Sequence, residues 1–251
     1  MSAGVAVVSG AGGGIGAATA EALARTGLTI AALDRDAESL DRVVGKLRGE
    51  GLNIDGFTLD ITSSGAVESV FDTLDRTCGP VRHLVNVAGI LRPASLLATT
   101  DADWDQTLAV NVTGVFLLCR AAARRMVPRG EGAIVTVGSN AGGIPRTGMA
   151  GYAASKAAAA HLTRCLGLEL APHGIRCNIV SPGSTDTPML RALGAGDPIA
   201  GDPATFRTAI PLGRVAQPAD IADAVVFLLS DQARHITMHE LYVDGGATLR
   251  A

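Results

Sequence analysis

Apolar runs of strand length alternate along the chain with longer stretches whose apolar residues recur at helical spacing. The runs at Gly4–Ser9, Thr29–Leu33, Asn53–Leu59, His83–Val87, Ala133–Val137, Ile175–Ser181 and Glu240–Val243 read as seven strands. Helical patterns over Gly14–Arg25, Ala37–Gly49, Ser64–Cys78, Asp101–Met126, Gly148–Ala171 and Pro218–Leu229 separate them. The acidic start of the fourth pattern, at Asp101 and Asp103, suits the positive end of a helix dipole. This rhythm predicts repeated βαβ units: an α/β fold around a doubly wound parallel sheet. The strands are almost wholly Val, Ile, Leu and Ala, as a sheet with helices on both faces requires. Residues 182–213 break the rhythm with Gly, Pro, Thr and Asp, so a substrate lid is expected around 184–213. No repeat or linker divides the sequence, and 1–251 is expected to form a single domain.

Composition narrows the function classes. At 251 residues and 47% hydrophobic, the chain can bury a large core. Its net charge is −3 and no basic run exceeds Arg124-Arg125, which argues against a nucleic-acid or anionic-membrane partner. Eighteen apolar residues never run together, so no membrane span is expected. The N-terminal apolar run lacks a basic flank and ends at Ser9-Gly10, as a strand does and a signal peptide does not. Four scattered cysteines (78, 119, 165 and 177) suggest neither a disulfide framework nor a zinc site, but buried thiols in a reducing cytoplasm. His161, His173, His235 and His239 have no metal-ligand spacing, and no metal is expected. Trp104, one turn into its helix, is expected in the core.

Chemistry concentrates between Ser139 and Lys156, read as SNAGGIPRTGMAGYAASK. Tyr152 and Lys156 are four residues apart, so one helix face presents both. The chain has only two tyrosines and two lysines, which makes this pairing unusual. An ammonium beside a phenol favours the phenolate and so supplies a base near neutral pH. At an unperturbed pKa near 10, only about a thousandth of the phenol would be ionised at pH 7.

A second constellation follows the first strand: Ser9-Gly10-Ala11-Gly12-Gly13-Gly14-Ile15-Gly16, entering a helix. Glycines there allow a tight turn and let a pyrophosphate approach backbone N–H groups at the helix's positive end. About twenty residues on, the second strand ends in Leu33-Asp34-Arg35. A carboxylate at Asp34 suits the adenosine ribose hydroxyls and repels a 2′-phosphate, which points to NAD; Arg35 would instead welcome that phosphate, and Asp34 as a helix N-cap is the plain alternative. Asp60-Ile61 ends the third strand, where the acid either reaches an adenine amino group or caps the next helix. Asn86-Val87-Ala88-Gly89 ends the fourth, its small residues leaving room for a ribose. All three segments converge on one crevice at the carboxyl edge of the sheet.

These residues together resemble the short-chain dehydrogenase/reductase family over essentially the whole chain. SGAGGGIG at 9–16, NVAG at 86–89, Asn111, Ser139, YAASK at 152–156, Asn178 and PGSTDT at 182–187 carry the resemblance. Ser9 is one small departure, a hydroxyl where the family more often has threonine. The resemblance implies a single-domain Rossmann fold with a seventh strand, a homotetramer, and a Ser-Tyr-Lys centre. It implies Tyr152 as the acid/base and Ser139 as the holder of the substrate oxygen. Lys156 is implied to bind the nicotinamide ribose and lower the Tyr152 pKa. Asn111 is implied to hold a water leading from Lys156 to solvent; a polar kink in a long helix is its alternative. Gly10, Gly13, Gly14, Ile15 and Gly16 would hold the pyrophosphate, while Pro182, Gly183, Thr185 and Thr187 would line the nicotinamide.

A narrower resemblance lies in AGILRPASLL at 88–97, IPRTGM at 144–149 and GGATL at 245–249, with neighbouring runs of the second half. It is to the branch of the family that oxidises 2,3-dihydro-2,3-dihydroxybenzoate, a small-molecule acid feeding catecholate siderophores. The acid's carboxylate needs a partner, for which Arg146 is the first candidate and Arg92 the second; Met189 and Leu190 are expected to close over the ring. Two other substrates fit the same chemistry: the 2-amino dihydro acid giving 3-hydroxyanthranilate, and a 3-oxoacyl thioester. A redox-sensing NAD binder without turnover is the reading from another class, and an intact Ser139, Tyr152 and Lys156 argue against it.

Overall fold

The computed structural model describes residues 4–194, 196–205 and 207–248. Ala195 and Phe206, inside the stretch read as a lid, and Leu249 of the closing GGATL run lie outside the described residues. Seven parallel strands form one sheet: β1 Val5–Ser9, β2 Thr29–Asp34, β3 Ile54–Thr58, β4 Val81–Asn86, β5 Gly132–Val137, β6 Ile175–Pro182 and β7 Glu240–Val243. Their order is β3-β2-β1-β4-β5-β6-β7, so the winding reverses between β1 and β4 and leaves a crevice beyond their carboxyl ends.

Helices α1 Gly14–Ala24, α2 Ala37–Gly49 and α3 Ser64–Thr77 connect the first four strands. Then follow α4 Asp101–Leu108, α5 Val115–Met126, α6 Ala150–Leu170, α7 Pro188–Ala192 and α8 Pro218–Leu229. On one face of the sheet α1, α2 and α8 bury Leu23, Leu40, Val44, Val225 and Leu228 against Ala6, Val8 and Ile30. On the other, α3 and α5 bury Phe71, Leu74, Leu118 and Ala122 against Val5, Val7 and Leu84. Burying a Leu or Phe side chain contributes roughly 1.5–3 kcal/mol, and strand residues that face both layers explain the unbroken apolar runs.

Two departures from the sequence expectation affect the site. The helix expected over Asp101–Met126 runs through, but its turn at Ala109–Gly114 widens to a π-helix. The combined helical run over residues 101–129 is long and apolar enough to cross a membrane, yet half of that apolar window is buried, as in a core helix. Trp104 is 38% exposed rather than core; its ring packs on Gly151, where an added Cβ would lie 3.4 Å away.

His83 on β4 passed unnoticed in the sequence. It is 5% exposed, and both ring nitrogens lack a hydrogen-bond partner among the described residues. Burial first, then the Arg176 charge, pushes its pKa down to about 4 from 6.5. The folded protein therefore refuses a proton that the unfolded chain accepts between pH 6.5 and 4. Stability is full above pH 6.5 and is lost as pH falls through that window, by about 3 kcal/mol from this group. Urea unfolding at pH 7.5, 6 and 5 checks this: His83→Leu should flatten the slope, and an unchanged slope would acquit His83.

Candidate active site

The β5 strand leads into the site. After Val137, a Cβ on Gly138 would lie 2.6 Å from Ser181 Oγ, so only glycine lets the chain leave the sheet beside β6. Ser139 follows in extended conformation, its hydroxyl accepting the Ala141 N–H at 3.2 Å and opening a turn at Asn140–Gly142. That turn lies on α6, where a Cβ on Gly142 would be 3.0 Å from Ala157 N. The contact brings Ser139 alongside Tyr152 and Lys156, one helical turn apart on α6.

Lys156 is buried, donates to the Val137 carbonyl at 2.9 Å, and stands 5.9 Å from the Tyr152 ring centroid. Burial pushes its pKa down to about 8, which leaves it largely protonated at pH 7. Burial drives the Tyr152 pKa upward, and the neighbouring Ser139 hydroxyl opposes that rise.

Asn111 sits inside the π-helical turn, fully buried. Its carboxamide accepts from Ile90 N at 2.8 Å and donates to Ile90 O at 2.9 Å and Ser155 Oγ at 3.0 Å. A Cβ on Gly89 would lie 3.2 Å from Asn111 Oδ1 and 3.3 Å from Lys156 Nζ, so glycine keeps the two groups close. The widened turn and the proximity to Lys156 thus coexist at this one residue.

Two cavities flank this centre. One, about 550 Å³, is lined by Ser139, Arg146, Tyr152, Lys156, Pro182, Gly183, Thr185, Met189 and Leu190. The other, about 440 Å³, is lined by Gly10, Gly13, Gly14, Ile15, Gly16, Asp34, Arg35, Asp60, Ile61 and Ala88. Ile15, Val87, Gly89, Thr187 and Met189 border both. One continuous crevice therefore runs from the glycine turn to Tyr152.

Known proteins resemble this chain along nearly its whole length. Residues 10–248 match the family model described as enoyl-(acyl carrier protein) reductase. The 2,3-dihydro-2,3-dihydroxybenzoate dehydrogenase of Bacillus subtilis (strain 168) is 52% identical over 250 residues, 98% of this chain and 96% of that protein. The vibriobactin-specific 2,3-dihydro-2,3-dihydroxybenzoate dehydrogenase of Vibrio cholerae serotype O1 is 43% identical, over 96% of this chain and 94% of its own. The crystal structure of an actinorhodin polyketide ketoreductase variant with NADPH superimposes with a TM-score of 0.92 at 33% identity, over 99% and 98% of the two chains. The chain belongs to the short-chain dehydrogenase/reductase family.

Within this short-chain dehydrogenase/reductase, several expected side chains behave differently from their sequence reading. Asn86 borders neither cavity: it is buried in the sheet, donating to Cys119 Sγ and Thr136 Oγ1, both at 3.2 Å. Alternation along β4 turns it away from the crevice. Arg92 is drawn off toward α4, where it meets Gln106 at 3.1 Å and Asp103 at 3.8 Å. Asp34 does not cap α2; Asp36 does, while Asp34 accepts N–H bonds from Gly12 at 2.8 Å and Asp36 at 3.0 Å. Nor does Asp60 cap α3, a role that falls to Ser63; Asp60 is held by Thr62. Sequence reasoning missed Ser184 and Arg207, which also line the larger cavity and come from the aperiodic stretch. Only the density of Gly, Pro and Asp there marked it as functional, with nothing to single out one arginine.

Proposed function

We propose that this protein oxidises 2,3-dihydro-2,3-dihydroxybenzoate to 2,3-dihydroxybenzoate with NAD, in the making of a siderophore or a related secondary metabolite. The reading rests on the meeting of Ser139, Tyr152 and Lys156 on one cavity wall that opens onto the glycine turn. It is supported by full-length relatives of that activity at 52% and 43% identity.

The residues present fit a dinucleotide. Helix α1 has Gly13 at its N-cap, with no side-chain cap and no acid in its first turn, so its first N–H groups suit a phosphate. Glycines at 10 and 14 take positive φ (71° and 53°), which the turn requires. The Asp34 carboxylate at the far end of the cavity suits a ribose diol and disfavours a 2′-phosphate, which selects NAD over NADP.

NAD held there would supply the acceptor for the hydride that leaves the carbinol carbon of the substrate. Tyr152 takes the proton of the same carbinol, and the Ser139 hydroxyl steadies the oxygen as it becomes a carbonyl. The ring ketone then tautomerises to a phenol, and the gain of aromaticity makes oxidation effectively irreversible. Lys156, held by Val137 O, fixes a positive charge near the phenol ring and would hold the nicotinamide ribose. Arg146 supplies a planar cation for the substrate carboxylate. Met189 and Leu190, on α7 and bordering the larger cavity, close over the ring as part of a lid spanning 184–213.

The chain acts as one domain and assembles as a homotetramer, for which Phe116 on α5 (40% exposed) and Leu168 on α6 (68% exposed) offer apolar surface. Free thiols at Cys78, Cys119, Cys165 and Cys177 suit a reducing cytoplasm. A spectrophotometric NADH assay tests the function against three substrates: the dihydroxy acid, its 2-amino analogue and an acetoacetyl thioester. Preferred oxidation of the dihydroxy acid is the expected result. Preference for either of the others reassigns the substrate, and turnover of none leaves an NAD-binding protein without catalysis.

A further inference from the structure

Building on that function, we propose that Arg207 is a specificity-determining residue, the second jaw of a guanidinium clamp that holds the substrate's carboxylate opposite Arg146. Both arginines line the larger cavity with Ser139 and Tyr152, but they arrive on different segments. Arg146 comes from the loop between β5 and α6, and Arg207 from the aperiodic stretch between α7 and α8.

Several observations single out Arg207. It is half-buried, and among the described residues its guanidinium meets one partner, the neutral Ser184 hydroxyl at 2.9 Å. No carboxylate lies within ion-pair distance of it among the described residues, whereas ten of the other described arginines pair with acids. A partly desolvated cation without an anion is costly, and a carboxylate entering the cavity would offset that cost. Its position is also built rather than incidental. Asp202 and Arg207 exchange two backbone hydrogen bonds, both 2.9 Å, which closes a tight loop. Gly201, at φ 75°, makes that loop possible: a Cβ there would lie 2.6 Å from Arg207 O. A Thr147 hydroxyl to Thr205 carbonyl contact at 3.4 Å ties the Arg146 loop to the Arg207 loop.

Two acids, Asp197 and Asp202, line the same cavity and would oppose an anionic substrate if their charges faced it. Their oxygens are instead engaged by their own turns. Asp197 accepts the Ile199 N–H at 2.8 Å, while Asp202 accepts the Ala204 N–H and the Thr205 hydroxyl, each at 2.9 Å. A carboxylate bridging the two arginines would join the Arg207 stretch to the Arg146 loop, and a substrate lacking it would not.

Steady-state kinetics of Arg207→Ala and Arg207→Lys test this with two substrates: the dihydroxy acid and the matching cyclohexadiene diol without a carboxylate. Loss of a charge-assisted hydrogen bond predicts about a tenfold to hundredfold higher KM for the acid in Arg207→Ala. Arg207→Lys, which keeps charge but not the fork, should recover part of it. In both variants the KM and kcat for the uncharged diol should stay within about twofold of the wild type. Equal changes on the two substrates, or none on either, would overturn the clamp while wild-type oxidation of the acid leaves the functional reading standing. A wild-type enzyme inert toward the acid would fail that reading and remove the clamp with it. Should Arg207→Ala not fold, a selective KM rise for the acid in Arg207→Lys decides in favour, and its absence against.

Discussion

Tyr152→Phe is expected to bind NAD with unchanged affinity and to lose turnover by a factor of about 10²–10⁴, the usual contribution of a positioned acid/base. The substitution removes one oxygen from a ring on the cavity wall and leaves the ring's packing on α6 intact. Calorimetric titration of the coenzyme and a single-turnover NADH trace separate the two effects. A rate within tenfold of the wild type would strip Tyr152 of the base's role. The pH dependence should carry a further mark of this site. In the coenzyme-free protein, burial raises the Tyr152 pKa, with the Ser139 hydroxyl opposing it. The base must therefore gain acidity when the positively charged nicotinium binds, so its apparent pKa should be lower in the ternary complex than in the free enzyme. Profiles of kcat and of kcat/KM for the coenzyme report those two states respectively. The two profiles rising at the same pH would show that coenzyme charge plays no part.

Gly16→Ala should damage coenzyme binding and folding together. An added Cβ would lie 1.9 Å from Gly10 O and 2.6 Å from Gly10 C, inside any tolerable contact and against backbone rather than a side chain that could yield. The glycine turn and the start of α1 would have to separate, which spoils the cradle for the pyrophosphate. Overpacking of this kind costs about 1–3 kcal/mol, a fall of several degrees in Tm for a chain of this size. Coenzyme Kd should rise at least tenfold. Gly13→Ala is the matched control: its backbone is extended (φ 176°) and no atom lies within 4 Å of the new Cβ. That variant should keep the wild-type Tm. Should Gly16→Ala melt and bind coenzyme as the wild type does, the close approach of turn and helix would not be what builds the cradle.

Much of the fold was legible because its signals are local. Each βαβ unit announces itself through an unbroken apolar run followed by helical spacing, and all six expected helix starts fell within two residues of the observed ones. The glycine turn was readable because a tight turn and close helix approach admit no other residue at Gly16. Tyr152 and Lys156 were readable because helix geometry alone puts positions four apart on one face. Asn111 was legible as a polar residue in a long apolar helix, though not that the helix widens there to a π turn.

What the sequence by itself determined, then, is the sheet of parallel strands, the glycine turn for a dinucleotide, and the helix face bearing Tyr152 and Lys156. Tertiary structure decided which way side chains at strand ends and on loops face. It turned Asn86 into the sheet, pulled Arg92 to α4, and brought Arg207 to the cavity that Arg146 lines. It also decided desolvation: burial lowers the Lys156 pKa and raises that of Tyr152, an effect that adjacency in sequence does not show. The physical reason is range. Backbone preference and periodicity act over a few residues and are written into neighbours, whereas desolvation and side-chain partnership depend on which distant segments pack together.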